Sequence, residues 1–540
     1  MTTPFLFVPT FSWPAAPFGL LYTYAAGSTT PKTTFSDAAG LVPNINPVEL
    51  DSTGSATIRL DTGSYKFVLL DQTNTVTLWT QDNYESFYLT AAAVGLVLYP
   101  QTARELANSI TPTLYQYPPG NILRYGADPT GAVDSTTAIQ AAIVASAAVY
   151  APAGTYTCSS TFNMQSNQCL TGDGKHLTIF TFANGALTNF SCSGLTSVTF
   201  RDFTIQITGT LGVLKYGGIY LLNSSYCIIE RVGMTGCNWT GVWLDAASNH
   251  NIVRSCHFSA FSEPAGQGGD IQIYSSSGGG TVSPCYNTFT NNECFGGGGY
   301  GIAIVDPYAS GIGAFPSKNI ATNNHIGQHL AYGMVIYMPG NGASADNSWN
   351  KYANNDVENV IGSRGASDTT TGMGIYVVGN GTGGTQIIGN TVRNCCQQTT
   401  VRSLAIAGIA IAGVPTGVVP PVVTGNTVCN MTQGDGINIA SCPGSVIVEA
   451  NSITMPSTNN GTGAGGASLA GAGLRIEASS NTVVGPNTVL HFGTSAACYI
   501  YANGINSSGV TLSGGTYISS TNGTGPGNPR GIDQIGRAHV

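Results

Sequence analysis

The chain predicts an all-β fold: a right-handed parallel β-helix of about 10–12 rungs, with a small β domain before it and a helix over its first rung. Three observations carry this. A Gly-Ile-x-Ile unit recurs, at Gly218-Ile219-Tyr220-Leu221, Gly241-Val242-Trp243-Leu244, Asp270-Ile271-Gln272-Ile273, Gly301-Ile302-Ala303-Ile304 and Gly333-Met334-Val335-Ile336. It continues from Gly374, Gly408, Gly436, Gly473 and Ala497. Between these units a second position recurs, at Val232 and Cys256 and then at Asn292, Asn324, Asn355, Asn390, Asn426, Asn451 and Asn487. Two short period-two strands per irregular turn of ~30 residues, with asparagine at one corner, read as stacked solenoid rungs. Asparagine tolerates a left-handed bend and can stack amide on amide, and parallel crossovers imply a right-handed coil. The third observation is composition: only 8% of the 540 residues are Asp, Glu, Lys or Arg, while glycine supplies 71.

Composition also narrows function. Eighteen basic and 26 acidic residues give a net charge of −8 with no basic run, which argues against nucleic acid as a partner. No apolar run is long enough for a membrane-spanning helix, and the N-terminus lacks the basic region of a signal peptide. The 13 cysteines show no metal-ligand spacing, and several fall on inward strand positions, so buried free thiols are expected. No metal or cofactor motif is present.

The segment from Pro119 to Tyr156 organises the start of the solenoid. Asn121–Tyr125 reads as a short strand and Gly126–Gly131 as a turn. Asp134 is placed to cap a helix over Ser135–Ala148, and Val149–Pro152 reads as a strand. Such a helix would close the N-terminal end of the solenoid and keep its first rung from pairing with other chains. Tyr125-Gly126-Ala127, Asp128, Gly131, Asp134, Ala138-Ile139-Gln140-Ala141-Ala142, Pro152, Gly154-Thr155-Tyr156 and Gly172-Asp173-Gly174 together resemble the opening of pectate-lyase-superfamily β-helices. The likeness is to the version found in phage tailspikes and related polysaccharide depolymerases. It implies a homotrimer that binds a bacterial surface polysaccharide, sits on the virion and acts at the host surface after assembly in the bacterial cytoplasm.

Residues 1–85 read as a separate β domain, with runs at Ala56–Leu60, Tyr65–Leu70 and Thr75–Trp79 separated by Asp/Thr/Gly turns. Tyr22–Thr30 and Asn46–Lys66 are similar to virion-attachment domains, which implies a phage tail or baseplate partner. Residues 86–118 read as a connector, 119–520 as the solenoid and 521–540 as a tail. Within that tail, Asp533–Val540 reads as translated sequencing adapter, with the expectation that the natural chain continues, including a C-terminal trimerisation region.

Chemistry has to be argued from rung geometry. If the aliphatics of each Gly-Ile-x-Ile unit point inward, the first, third and fifth positions point outward. That set holds Tyr220, Trp243, Asp245, Asp270, Gln272, Tyr274 and Tyr337: rings to stack on sugars, and carboxylates for acid–base work. The residue after each corner asparagine gives a second outward column, in which His257, Glu293, His325 and Asp356 give way to Thr391, Thr427, Ser452 and Thr488. The same rungs carry longer loops. Gly218 to Val232 and Gly241 to Cys256 span 14 and 15 residues, whereas Asp270 to Asn292, Gly301 to Asn324 and Gly333 to Asn355 span 22, 23 and 22. These loops bring Asp306, Tyr308, Phe315, Asp346 and Trp349 to the wall of a groove.

Rungs stack ~4.8 Å apart, so carboxylates two rungs apart sit ~9.6 Å apart, at the top of the range for inverting glycosidases. The catalytic candidates are therefore Glu293, Asp306, Asp270, Asp245 and Asp356. Trp243, Tyr274, Gln272, His257, His325, Tyr308, Tyr337 and Trp349 are the candidates for sugar contact. Hydrolysis leads, while a lyase on the same scaffold and a glycan-binding fibre without catalysis stay open.

Overall fold

The computed structural model describes residues 10–37, 40–61, 63–85, 91–183, 188–209, 217–237, 239–259, 268–274, 283–306, 315–340, 345–362, 372–397, 406–431, 434–455, 472–491, 500–502, 509–519 and 532–533. The chain forms two compact units, Met1–Gln101 with Leu114–Pro118, and Thr102–Thr113 with Pro119–Val540.

The first unit is built on an antiparallel sheet in the order Val48–Glu49, Leu20–Ala25, Ser64–Leu70, Thr77–Glu85. Alternation in Ser64–Leu70 sends Tyr65, Phe67 and Leu69 to one face, where they bury with Leu21, Leu50, Ile58 and Leu60. The unit also holds a helix over Ala91–Leu98, within the stretch that reads as a connector in the sequence.

The second unit is a right-handed parallel β-helix of three sheets with 13 strands each. Sheet I holds the Gly-Ile-x-Ile strands and runs from Phe162–Asn163 to Ile532–Asp533. From sheet I the chain passes to sheet II, whose strands are short (Ile252–Arg254, Thr288–Thr290, Ile320–Thr322), then turns the asparagine corner into sheet III (His257–Ser259, Glu293–Phe295, His325–Gly327, Asp356–Glu358). Thirteen rungs exceed the number expected because Ile532–Asp533, inside the stretch read as a tail, pairs in parallel with Ile500–Tyr501.

The asparagine corner is a continuous ladder. From Asn292 to Asn487 each side-chain amide donates to the next rung's Oδ1 at 2.9–3.0 Å, and that oxygen also accepts from the lower rung's own backbone N–H at 2.9–3.0 Å. The left-handed bend falls one residue earlier than expected, on Ser255, Asn291, Asn323, Asn354, Gly389, Gly425 and Ala450. The ladder asparagine is thereby free to aim its amide along the axis. A second ladder, Asn251–Asn287–Asn319–Asn350, runs up the corner before sheet II.

Inside, Phe162, Phe180, Phe190, Phe200 and Phe203 fill the first rungs, and Ile, Val and Met stack above them. The described cysteines carry no disulfide, and most are buried. The N-terminal end differs in detail from expectation. Ile122–Tyr125 is a turn of 3-10 helix, not a strand, because the Asn121 side chain accepts from Leu123 N–H and Gly126 ends the turn in the left-handed region at φ 93°. The capping helix is shorter, Thr136–Ala145, with Asp134 accepting from the backbone N–H and the hydroxyl of Thr136. Ile139 and Ile143 bury its inner face.

Candidate functional site

The acid–histidine column is a single outward file of sheet III. His257, Glu293, His325, Asp356, Thr391, Thr427, Ser452 and Thr488 are direct register partners from rung to rung. Between each corner asparagine and the next inward aliphatic there is one residue, so period-two alternation turns its side chain outward. His257 Nδ1 lies 2.9 Å from Glu293 Oε2. Glu293 is the most open carboxylate of the file, with 55% of its side chain exposed.

Two further residues belong to this face, Glu358 and Arg393. They occupy the third position of their strands, which faces outward as the first does, so the same alternation applied to Asp356-Val357-Glu358 and Thr391-Val392-Arg393 would have found them. Arg393 Nη2 donates to Asp356 at 2.8 Å and Nε to Glu358 at 2.9 Å, and His325 Nε2 lies 3.2 Å from Glu358 and 3.7 Å from Asp356. Burial acts to raise the Glu358 carboxyl, but the hydrogen bonds from Arg393 and His325 outweigh it and hold the group below the usual glutamate value. Glu358 in turn lifts the Arg393 guanidinium. Phe295 sets its ring against His325 at a centroid distance of 4.6 Å.

Sheet I is different. Tyr220, Trp243 and Gln272 share one outward register file, with Asp245 and Tyr274 in the next. Trp243, Asp245 and Gln272 are nonetheless buried. Tyr220 and Trp243 rings lie 4.8 Å apart, Trp243 donates from Nε1 to the Tyr274 carbonyl, and the Tyr220 hydroxyl donates to Asp245 at 3.0 Å. Asp306 is also buried, and Ser283 donates to it at 3.3 Å. Tyr337 stays exposed at the end of its strand. The two outward files therefore lie on different sheets of the solenoid, and the expected single groove divides between them. Tyr308 and most of the three longer loops lie outside the described residues. Trp349 sits at the corner leading into sheet II, with φ at 54°.

Asp270 is the main correction. The first position of the Gly-Ile-x-Ile unit points inward: a Cβ at Gly241 would meet the Phe258 ring, and one at Gly301 would meet Ile326 and His329. Asp270 occupies that inward place. Its Oδ2 lies 3.4 Å from His329 Nε2, and both residues are buried. Burial pushes the His329 imidazole down to about 4, against the opposing hydrogen bond to the Cys294 carbonyl. As the pH falls from the ordinary histidine value near 6.5 towards 4, the unfolded chain takes up a proton that folded His329 excludes. Stability should then be fully present above pH 6.5 and drain across that window. Melting temperatures for wild type and His329→Gln, taken from pH 7 to 4, should show a shallower fall in the variant. Parallel curves would contradict this.

Among the described residues no three His, Cys, Asp or Glu side chains converge as metal ligands would, and no helix is long and apolar enough to cross a membrane.

The fold thus defines a parallel β-helix carrying a charged file on sheet III and, on sheet I, a layer of buried Trp243 with half-buried Tyr220 and Tyr274. Residues 120–334 match the family described as rhamnogalacturonase A/epimerase, pectate lyase-like. No curated protein matches. Among solved structures, the A-module of mannuronan C-5 epimerase AlgE6 from Azotobacter vinelandii is 14% identical, covers 75% of this chain and 96% of its own, and gives a TM-score of 0.42. The catalytic unit of a GH87 α-1,3-glucanase from Streptomyces thermodiastaticus is 14% identical, with coverage of 95% and 88% and a TM-score of 0.42. ORF18 of Geobacillus virus E2 is 15% identical, with coverage of 84% and 69% and a TM-score of 0.40. The architecture itself rests on the register of the three sheets.

Proposed function

We propose that this chain binds and depolymerises a bacterial surface polysaccharide by carboxylate-based hydrolysis on the outer face of sheet III. The observation that carries the reading is the file His257–Glu293–His325–Asp356, two carboxylates in one register two rungs apart with a histidine between them. At ~9.6 Å they leave room for a water beside the sugar, as inversion requires. In this reading Glu293, in contact with His257, donates the proton to the glycosidic oxygen. Asp356, paired with Arg393, draws the proton from the attacking water. The pectate-lyase-like match over residues 120–334 supports a polysaccharide as substrate, since its description names a rhamnogalacturonase.

The biological setting follows from the tailspike resemblance. The chain is proposed to act as a homotrimer on a phage virion, attached through its N-terminal unit to the tail or baseplate, with capsule, O-antigen or exopolysaccharide as target. Incubation with a panel of such polysaccharides, read for fragment size, reducing ends and ultraviolet absorbance, tests the reaction. Reducing ends without absorbance are expected. Absorbing fragments would replace hydrolysis with β-elimination, and binding without fragments would leave a receptor-binding fibre.

A further inference from the structure

Five consecutive rungs carry large exposed side chains at the corner between sheets I and II: Tyr226, His250, Tyr286, Lys318 and Trp349. They form one column, because each backbone N–H donates to the carbonyl just before the corresponding corner residue on the next rung (Tyr226 to Asn249, His250 to Cys285, Tyr286 to Ser317, Lys318 to Ser348, Trp349 to Gly383). All five lie in the left-handed backbone region, at φ 54–59°. Bulky side chains carry a steric penalty there, and Asn, Ser or Gly is the usual occupant.

Those usual occupants are what the same corner has on either side, Asn167 and Ser197 below and Gly384 above, and what the asparagine-ladder corner has at Ser255, Asn291, Asn323, Asn354 and Gly389. The turn itself does not ask for these large residues. Their side chains stack outward along the axis. Tyr226 and His250 rings lie 5.0 Å apart, His250 and Tyr286 rings 4.9 Å apart, and Lys318 Nζ is 2.7 Å from the Tyr286 hydroxyl. Gly384 keeps the space Trp349 uses, since a Cβ there would fall 2.6 Å from the indole.

The column also occupies the rungs of the charged file. Four of the five stand seven positions before a member of it: His250 before His257, Tyr286 before Glu293, Lys318 before His325, Trp349 before Asp356. The two stripes run parallel to the axis, one at each end of the short sheet II strands.

We infer that the Tyr226–His250–Tyr286–Lys318–Trp349 column is a second carbohydrate-binding site, which holds an extended stretch of the polysaccharide along the solenoid axis while cleavage takes place on sheet III. Ring edges, phenol hydroxyls and an ammonium repeat at the rung rise of ~4.8 Å, close to the length of one pyranose residue, so hydrogen-bonding groups and apolar ring surface meet successive sugars in step. The inference rests on the reading of the chain as a polysaccharide-cleaving protein.

The test uses the full chain and the polysaccharide that the panel shows it to cleave or bind. Tyr226→Asn with Tyr286→Asn removes the phenols of the stripe, and asparagine suits the left-handed turn, so the corner is retained. Binding to intact polymer is measured in a Glu293→Gln background, and kcat on fragments of two or three sugars in the wild-type background. The double variant should bind polymer about tenfold or more weakly, with kcat on fragments unchanged. Polymer affinity within about twofold of the parent would overturn the site and leave the column as a structural stack. Binding without cleavage by the parent would refute the hydrolytic reading while leaving the stripe test intact. A parent that binds no polysaccharide overturns both.

Discussion

Replacing Glu105 with alanine should destabilise the solenoid by about 3–5 kcal/mol, the usual cost of leaving one member of a buried ion pair without its partner. Glu105 and Arg124 are both fully buried where the Ala103–Ala107 helix meets the 3-10 turn before the first rung. The carboxylate accepts from Arg124 Nε at 2.7 Å and Nη2 at 3.1 Å, from the Tyr125 hydroxyl at 2.8 Å and from Thr102 N–H at 2.7 Å. Its loss strands a buried guanidinium and the backbone N–H of the capping residue Thr102 together.

Burial acts to raise the Glu105 carboxyl, yet Arg124, Thr102 and Tyr125 outweigh it and hold the group below the ordinary glutamate value. Its contribution is therefore complete above that ordinary value and is lost as the pH falls through the lower, folded one. Denaturant unfolding at neutral pH checks the magnitude. Replacing both partners with apolar residues (Glu105→Met with Arg124→Leu) should cost less than either single truncation, because no charge is then stranded. A Glu105→Ala midpoint equal to wild type would show that the cap contributes nothing to the solenoid.

Glu293→Gln should lower turnover by about 10²–10⁴-fold, the range that general acid–base catalysis supplies, with little change in polymer affinity. Glutamine has the same shape and still meets His257, so the strand and its neighbours are undisturbed, but it cannot give up a proton. Asp245→Asn is the informative control. Asp245 is buried against Tyr220 and the Ala246 backbone, so its variant should report on folding more than on catalysis. Equal turnover in Glu293→Gln and wild type would move the chemistry off sheet III.

The rungs and the charged file were legible in the sequence because both depend on strict periodicity. Asn292 to Asn487 mark one corner on every turn, and one residue later the side chain must face out, whatever the loops do. Asp270 was not legible in the same way. Its sequence position matches a strand start, and only the packing of Phe258, Ile326 and His329 around that position reveals that a Cβ points inward there. Trp243 and Asp245 show a second limit. Alternation places a side chain on a face, but says nothing about whether that face is covered. Glu358 and Arg393 are the second outward residues of their strands, and the same alternation marks them as plainly as the first.

The most direct test of the central claim is the anomeric configuration of the first product, followed by proton NMR during early cleavage of a polysaccharide that the protein degrades. Two carboxylates two rungs apart on sheet III predict inversion, with the new reducing end appearing in the configuration opposite to that of the bond cleaved. Retention of configuration would require a carboxylate pair about one rung apart, and would contradict the assignment of Glu293 and Asp356 as acid and base.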